Sequence, residues 1–332
     1  MLSKKSKRIL LGMAAAAGAI ALAACSGPAS SSSGGGSGSP NGSATSGGPM
    51  NIAVVTHGSA GDSFWNVVKN GATDAGKQLG VNVTYNSDGD PGAQSKLIDN
   101  AVAQHVDGLV VSMANPDALK TSIQAAVKAG IPVITINSGQ SQSAAFGALA
   151  HVGQDEGIAG QQAGAKLKTA GKTNLLCVIH EAGNVGLAQR CDGAKQGFGK
   201  TTNLQVDINN PTDVEAKIKG ALQTDSSIDA VLTLNPQIAL SAVNAAKETN
   251  SKATVATFDL NSDVVSAIKS GQIAFAVDQQ QYEQGYLPIV MLKLYHDNAN
   301  TVGGGQPVLT GPGFVDKSNV DKVSQYAARG TR

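Results

Sequence analysis

Short apolar, β-branched runs alternate with segments of helical spacing along the chain from residue 50 onward, and the alternation comes in two successive sets. Residues 51–56, 81–85, 108–112 and 131–137 read as strands, and 64–79, 94–104 and 116–129 between them read as helices. Gly80 and Gly130 follow two of these helices as stop signals. The second set is predicted as strands at 174–179, 204–208, 230–234, 254–258 and 273–277. Its helices are predicted at 155–169, 192–201, 213–223, 236–249, 263–270 and 282–295. Strands apolar along their whole length belong to parallel sheets covered on both faces. Strand–helix alternation means right-handed βαβ units. Two sets therefore predict an α/β protein of two doubly wound parallel-sheet lobes, and the chain is long enough for both. In such sheets ligands sit outside the carboxyl ends of the strands.

The first 49 residues carry an address. Lys4, Lys5, Lys7 and Arg8 precede an apolar stretch at 9–22 that is short for a membrane span. Leu22-Ala23-Ala24-Cys25 then resembles the cleavage and lipidation signal of bacterial lipoproteins. The expectation is a signal peptide at 1–24, a lipid-carrying Cys25 and an extracytoplasmic protein anchored to the cell membrane. An ordinary secretory signal with an incidental Cys25 is the alternative. Residues 26–49 are mostly Ser, Gly and Pro, without charge. Such a segment buries too little to offset its ordering entropy and is expected as a disordered tether, with a reach of roughly 25–30 Å.

Cys177 and Cys191 remain. Outside the cytoplasm a disulfide between them is permitted and favoured; two buried free thiols, or a metal site with His180, are the competing readings.

The residues that follow the strands are polar. After the first strand comes a Gly- and Ser-rich loop with Asp62, then Phe64 and Trp65, the only tryptophan of an aromatic-poor chain. Aromatic faces pack on the C–H faces of sugars; core packing of both rings is the other reading. For Asp62 a helix N-cap competes with a ligand contact. Ser112, Asn137 and Ser138 follow later strands of the first set. Glu181, Asn184, Arg190, Asn235, Asp259, Asp278 and Gln279 follow strands of the second. Such side chains supply the mixture of donors and acceptors that hydroxyl groups need, although each singly is equally at home in a turn or cap.

In order and spacing, these pieces resemble the ribose-binding-protein-like group of type I periplasmic binding proteins. The carriers are Gly61-Asp62-Ser63-Phe64-Trp65, the strand 131–137, Arg190-Cys191-Asp192-Gly193, the helix start at Asn235, Thr257-Phe258-Asp259, and Gln279 ahead of Gln284-Gly285. The resemblance implies two lobes joined by a three-crossing hinge, with a sugar in the cleft. It implies a first lobe of 50–153 plus 281–306 and a second of 154–280 plus 307–332. Asp62, Phe64, Trp65 and Asn137 fall on first-lobe ligand positions; Arg190, Asn235, Asp259 and Gln279 fall on second-lobe ones. Where the family commonly has an Asp-Arg pair, this chain has Asn137-Ser138. That loses a charge and a fork of donors and argues against a ribose-type contact pattern; the expected ligand is a monosaccharide or sugar alcohol of pentose or tetritol/pentitol size, a smaller or reduced one such as a tetritol or pentitol fitting the change. The cysteine pair is not general in the family and would brace the loop carrying Asn184 and Arg190.

The expected function is capture of a small neutral polyhydroxy ligand for an ABC importer, with its permease and ATPase subunits as partners. The same resemblance also admits a surface sensor. The protein is expected to be a monomer without cofactor, metal or catalytic residue. No phosphate-binding loop, nucleophile elbow or metal-ligand spacing is present, and a net charge of +1 gives no reason to expect nucleic acid.

Overall fold

The computed structural model describes residues 48–59 and 61–332. The signal peptide, Cys25 and nearly all of the tether lie outside these residues. The elements run β1 (Asn51–Thr56), α1 (Ser63–Leu79), β2 (Asn82–Ser87), α2 (Pro91–Ala103), β3 (Gly108–Ser112), α3 (Pro116–Lys128), β4 (Val133–Ile136), α4 (Gln140–Ser143) and β5 (Ala150–Gly153). Next come α5 (Glu156–Thr169), β6 (Leu175–Ile179), α6 (Val185–Phe198), β7 (Thr201–Gln205), α7 (Pro211–Thr224), β8 (Ala230–Thr233), α8 (Pro236–Glu248), β9 (Thr254–Phe258), α9 (Ser262–Ser270) and β10 (Ile273–Asp278). The chain closes with α10 (Gln281–Asn298), β11 (Val308–Leu309), β12 (Gly313–Asp316) and α11 (Val320–Arg329).

Two six-stranded sheets result, ordered β11-β5-β4-β3-β1-β2 and β12-β10-β9-β8-β6-β7. All neighbours pair in parallel except β12, which runs antiparallel to β10. The central strands β3, β4 and β8 are buried along their whole length. The outer strands β2 and β7 are polar and largely exposed because only one flank of each is paired. Each sheet reverses its winding once, between β1 and β3 in the first and between β6 and β8 in the second. These are the places where a doubly wound sheet opens a crevice at its strand ends.

The chain passes between the sheets at 154–155, at 279–280 and at 310–312. The last crossing corrects the sequence reading, which put 307–309 in the second lobe. β11 pairs with β5 of the first sheet instead. A strand of two residues carries no periodicity, so β11 could not be recognised; β5, α4 and β12 likewise have no counterpart in the sequence reading. The predicted strand 204–208 forms at Thr201–Gln205, an edge strand whose Thr-Thr-Asn start carries little apolar signal.

A second correction concerns α6. Sequence placed its start at 192, because glycines thin out the helical pattern. The helix begins at Val185, where the Asn184 side chain accepts from the backbone N–H groups of Gly186 and Leu187. Arg190 and Cys191 therefore stand on a helix and not in a loop. The Cys177–Cys191 disulfide forms and ties α6 to β6 beneath it. Closing a loop of this size stabilises by roughly 3 kcal/mol on the chain-entropy account.

Close helix contact completes each lobe. A Cβ on Gly285 of α10 would lie 1.9 Å from the Val68 carbonyl oxygen of α1. One on Gly160 of α5 would lie 2.0 Å from the Arg190 carbonyl oxygen of α6. Only glycine permits either approach.

Candidate functional site

The winding reversals bring both sets of strand ends to one place between the lobes. On the first-lobe side, Asp62 caps α1 by accepting from the Phe64 N–H at 2.9 Å. That cap turns Phe64 and Trp65 inward at the helix start. Their rings meet edge to face at 4.9 Å, and Trp65 meets the His57 ring at 4.7 Å. His57 is held from behind, with its N–H donating to Ser112 Oγ at 3.0 Å and its Nδ1 2.7 Å from the same oxygen.

On the second-lobe side, Asn235 caps α8 through its side-chain oxygen. Its Nδ2 points across the gap at the Asp62 carboxylate, at 3.3 and 3.4 Å. Asn184, having spent its oxygen on capping α6, donates through Nδ2 to Glu181 at 2.7 Å. For Asp62, Asn184 and Asn235 the cap and the site are one arrangement: the cap fixes the side chain that faces the cleft.

Asn137 and Asp259 occupy matching places at the ends of β4 and β9. Both have positive φ, 61° and 69°. Asn and Asp tolerate this left-handed conformation better than other non-glycine residues, and such strain persists only where the surroundings enforce it. Gln279, at the second crossing, links them. Its Nε2 donates to both Asp259 oxygens at 2.9 and 3.0 Å, and its Oε1 accepts from Asn137 Nδ2 at 3.2 Å.

These groups line a cavity of about 30 Å³, far below the roughly 300–1,000 Å³ usual for ligand pockets, so the two walls stand close together in this conformation. Asp62, Phe64, Trp65, Asn137, Asn184, Arg190, Asn235, Asp259 and Gln279, all anticipated from sequence, line it. Ser112 and Ser138 do not. Ser112 stands behind His57, and Ser138 donates to Asn137 and Asn184 at 3.0 and 3.3 Å, joining the lobes beside the cavity. His57, His180, Glu181, Leu187 and Leu234 also line it. Glu181 and His57 are strand-end residues in the sequence reading; for His180, Leu187 and Leu234 the place just after β6 or β8, or on α6, was the available signal. Glu156 had none: it lies at the start of α5 and reaches the site only through Arg190.

Burial governs the electrostatics. It lowers His57 to about 3, with the Arg190 charge adding to the effect, and lowers His180 to about 4, so both rings are neutral. It raises Asp62 to about 6. It raises Asp259 to about 8, against the opposing pull of Arg190 and the Gln279 amide and with the help of Asp278 and Glu156. Burial works against the Arg190 charge as well, but the Glu156 carboxylate outweighs it and holds the guanidinium above its ordinary value.

A pH dependence follows. A carboxyl raised in the folded state keeps a proton that the unfolded chain releases, so its stabilisation is present at low pH and lost as pH rises to the folded value. For Asp62 this loss ends near pH 6. The lowered histidines act in the opposite sense, but only below their unfolded value of 6.5. Asp259 alone among these groups acts from about pH 6.5 to 8. The melting temperature of the ligand-free protein should therefore fall across that window, and Asp259→Asn should flatten the slope. An unchanged slope in thermal melts of the variant would remove Asp259 as its source.

Chemically the cavity offers carboxyl acceptors, amide and guanidinium donors, two neutral imidazoles and apolar faces from Phe64, Trp65, Leu187 and Leu234. Residues 52–299 match the family described as periplasmic binding protein domain. The ribose import binding protein of Haemophilus influenzae is 26% identical over 266 residues, 74% of this chain and 89% of that one. A carbohydrate transporter of Acidothermus cellulolyticus 11B, crystallised in complex with myo-inositol, is 44% identical with a TM-score of 0.84, covering 86% of this chain and 100% of that one. A periplasmic ribose ABC transporter of Conexibacter woesei, 24% identical with a TM-score of 0.69 over 84% of this chain and 95% of that one, shares the fold. By the match across its two lobes, the chain belongs to the periplasmic binding protein domain family.

Proposed function

We propose that this protein captures a neutral ring polyol, a cyclitol of the myo-inositol type or a monosaccharide of similar size, and delivers it to an ABC importer. The observation that carries the reading is the convergence of polar side chains from both sheets on one cavity. Each hydroxyl of a polyol both donates and accepts, and the cavity alternates carboxyl, amide and guanidinium groups around apolar faces. The myo-inositol complex of the 44% identical protein supports a six-membered ring, beside the pentose or pentitol expected from sequence.

The proposed mechanism is a population shift. A ligand that touches both walls does so fully only when the lobes are closed, so it favours closure. Interlobe bonds such as Asn235 to Asp62, and the Val185 N–H to the Ala114 carbonyl at 3.0 Å, assist that state. The closed form is what a permease would read. Anchoring through a lipid on Cys25, action as a monomer and the absence of catalysis belong to the same reading.

Trp65 supplies the test, because it is the only tryptophan and lines the cavity. Titration of the purified protein with myo-inositol, ribose, glucose and pentitols should change its emission saturably for at least one of them. The same ligand should raise the melting temperature, with a stabilisation of about 2.7 kcal/mol at a hundredfold excess over Kd. No emission change and no stabilisation with any neutral polyol would refute the reading.

A further inference from the structure

Arg190 has five N–H groups, and their distribution is unequal. Its Nε donates to Glu156 Oε2 at 2.6 Å and its Nη2 to Glu156 Oε1 at 3.0 Å, a two-point fork. The guanidinium lies on the Phe258 ring, 4.6 Å from its centre, which fixes the plane. Both charged side chains are buried, 4% and 3% exposed. Gln154, at the first crossing, donates Nε2 to Glu156 Oε2 at 2.9 Å and so sets the carboxylate in turn. Arg190 lines the cavity and Glu156 does not. One edge of the guanidinium is thus consumed behind the wall, one Nη1 hydrogen goes to the Leu234 carbonyl at 3.5 Å, and one Nη1 and one Nη2 hydrogen are left for the cleft.

Charge follows the same geometry. At Asn137-Ser138 the chain offers the cleft no ion. Arg190 is the one cation among the cavity-lining side chains, since both lining histidines are neutral. Without Glu156 it would lose its nearest and strongest counter-charge and keep only the weaker pull of Asp259 and Glu181, which shifts the balance toward an anionic ligand. With Glu156 at 2.6 Å the pair is neutral, and what reaches the cleft is a directed set of donors.

We propose that Glu156 is a positioning and selectivity residue that touches no ligand: it aims Arg190 and cancels its charge, so that the cleft takes neutral polyols and rejects sugar acids. This rests on the function proposed above. No binding residue assigned by sequence or by the cavity includes Glu156, and its effect passes wholly through Arg190.

Two substitutions separate aim from charge. Glu156→Gln keeps the shape and removes the charge; Glu156→Asp keeps the charge and shortens the reach. Calorimetry on each, and on the wild type, would use myo-inositol, D-glucose and D-glucuronate. The wild type should prefer its best neutral ligand over glucuronate by at least about a hundredfold. In Glu156→Gln that ratio should fall by about tenfold or more. In Glu156→Asp the ratio should hold while neutral affinity drops several-fold. A ratio unchanged within about twofold in Glu156→Gln overturns the inference while leaving the function standing. A wild type that binds no neutral polyol overturns both. If Glu156→Gln fails to fold, Gln154→Leu replaces it: loss of the supporting amide should weaken neutral binding several-fold, and unchanged binding overturns the inference.

Discussion

Arg190→Ala should abolish ligand capture at working concentrations. Truncating one partner of a buried, hydrogen-bonded charge pair in a binding site costs about 2–5 kcal/mol, roughly 30-fold to several thousand-fold in affinity. The loss has two parts here. The cleft loses the donor edge of its guanidinium, and Glu156, 3% exposed, is left as a buried carboxylate without its cation. The second part acts on folding too, and should lower stability by about 3–5 kcal/mol. The double variant Arg190→Ala/Glu156→Gln tells them apart. It should recover most of the stability, because no lone charge remains buried, and none of the binding. Calorimetric affinity for the best neutral ligand that stays within twofold of wild type in Arg190→Ala would remove the residue from the site.

The second large effect comes from a residue that cannot touch ligand. Gly160→Ala puts a methyl group 2.0 Å from the Arg190 carbonyl oxygen, which is backbone and cannot rotate away. α5 and α6 must then separate, and the forked pair has one partner on each helix. Overpacking of this kind costs about 1–3 kcal/mol. It should be accompanied by a loss of affinity of about tenfold, because Glu156 and Arg190 move apart together with the helices. Gly285→Ala is the comparison. It clashes as severely, at 1.9 Å from the Val68 carbonyl oxygen, but between α1 and α10 of the first lobe. Thermal melts should show both variants destabilised, with Gly160→Ala alone losing affinity for myo-inositol in calorimetry. Wild-type stability in Gly160→Ala would mean that the helices part without cost.

The pairing of cap and site explains why so much of the cleft was legible. Asp62 and Asn235 each follow a strand and open a helix, so a single local signal marks both their backbone role and their place in the gap; Asn184 was legible only from its place after a strand, because the start of its helix was read too late. Asn137, Asp259 and Gln279 were legible for a related reason: they end strands, and in a doubly wound sheet strand ends gather at one edge. Ser112 ends a strand as well, yet its hydroxyl is taken by His57. Which of two neighbours faces the gap depends on a turn of the backbone that strand periodicity does not encode.

Sequence alone determined what depends on neighbours along the chain: the strand and helix alternation, hence two parallel sheets, and the polar residues at the strand ends. The tertiary structure alone decided what depends on residues far apart in sequence. Glu156 meets Arg190 because glycines let α5 and α6 touch. Asp62 meets Asn235 because two sheets close on each other. Val308–Leu309 joins the first sheet because β5 presents an unpaired edge. Periodicity reports which face of an element is apolar, and carries no record of the partner that covers it or of the charge that partner brings.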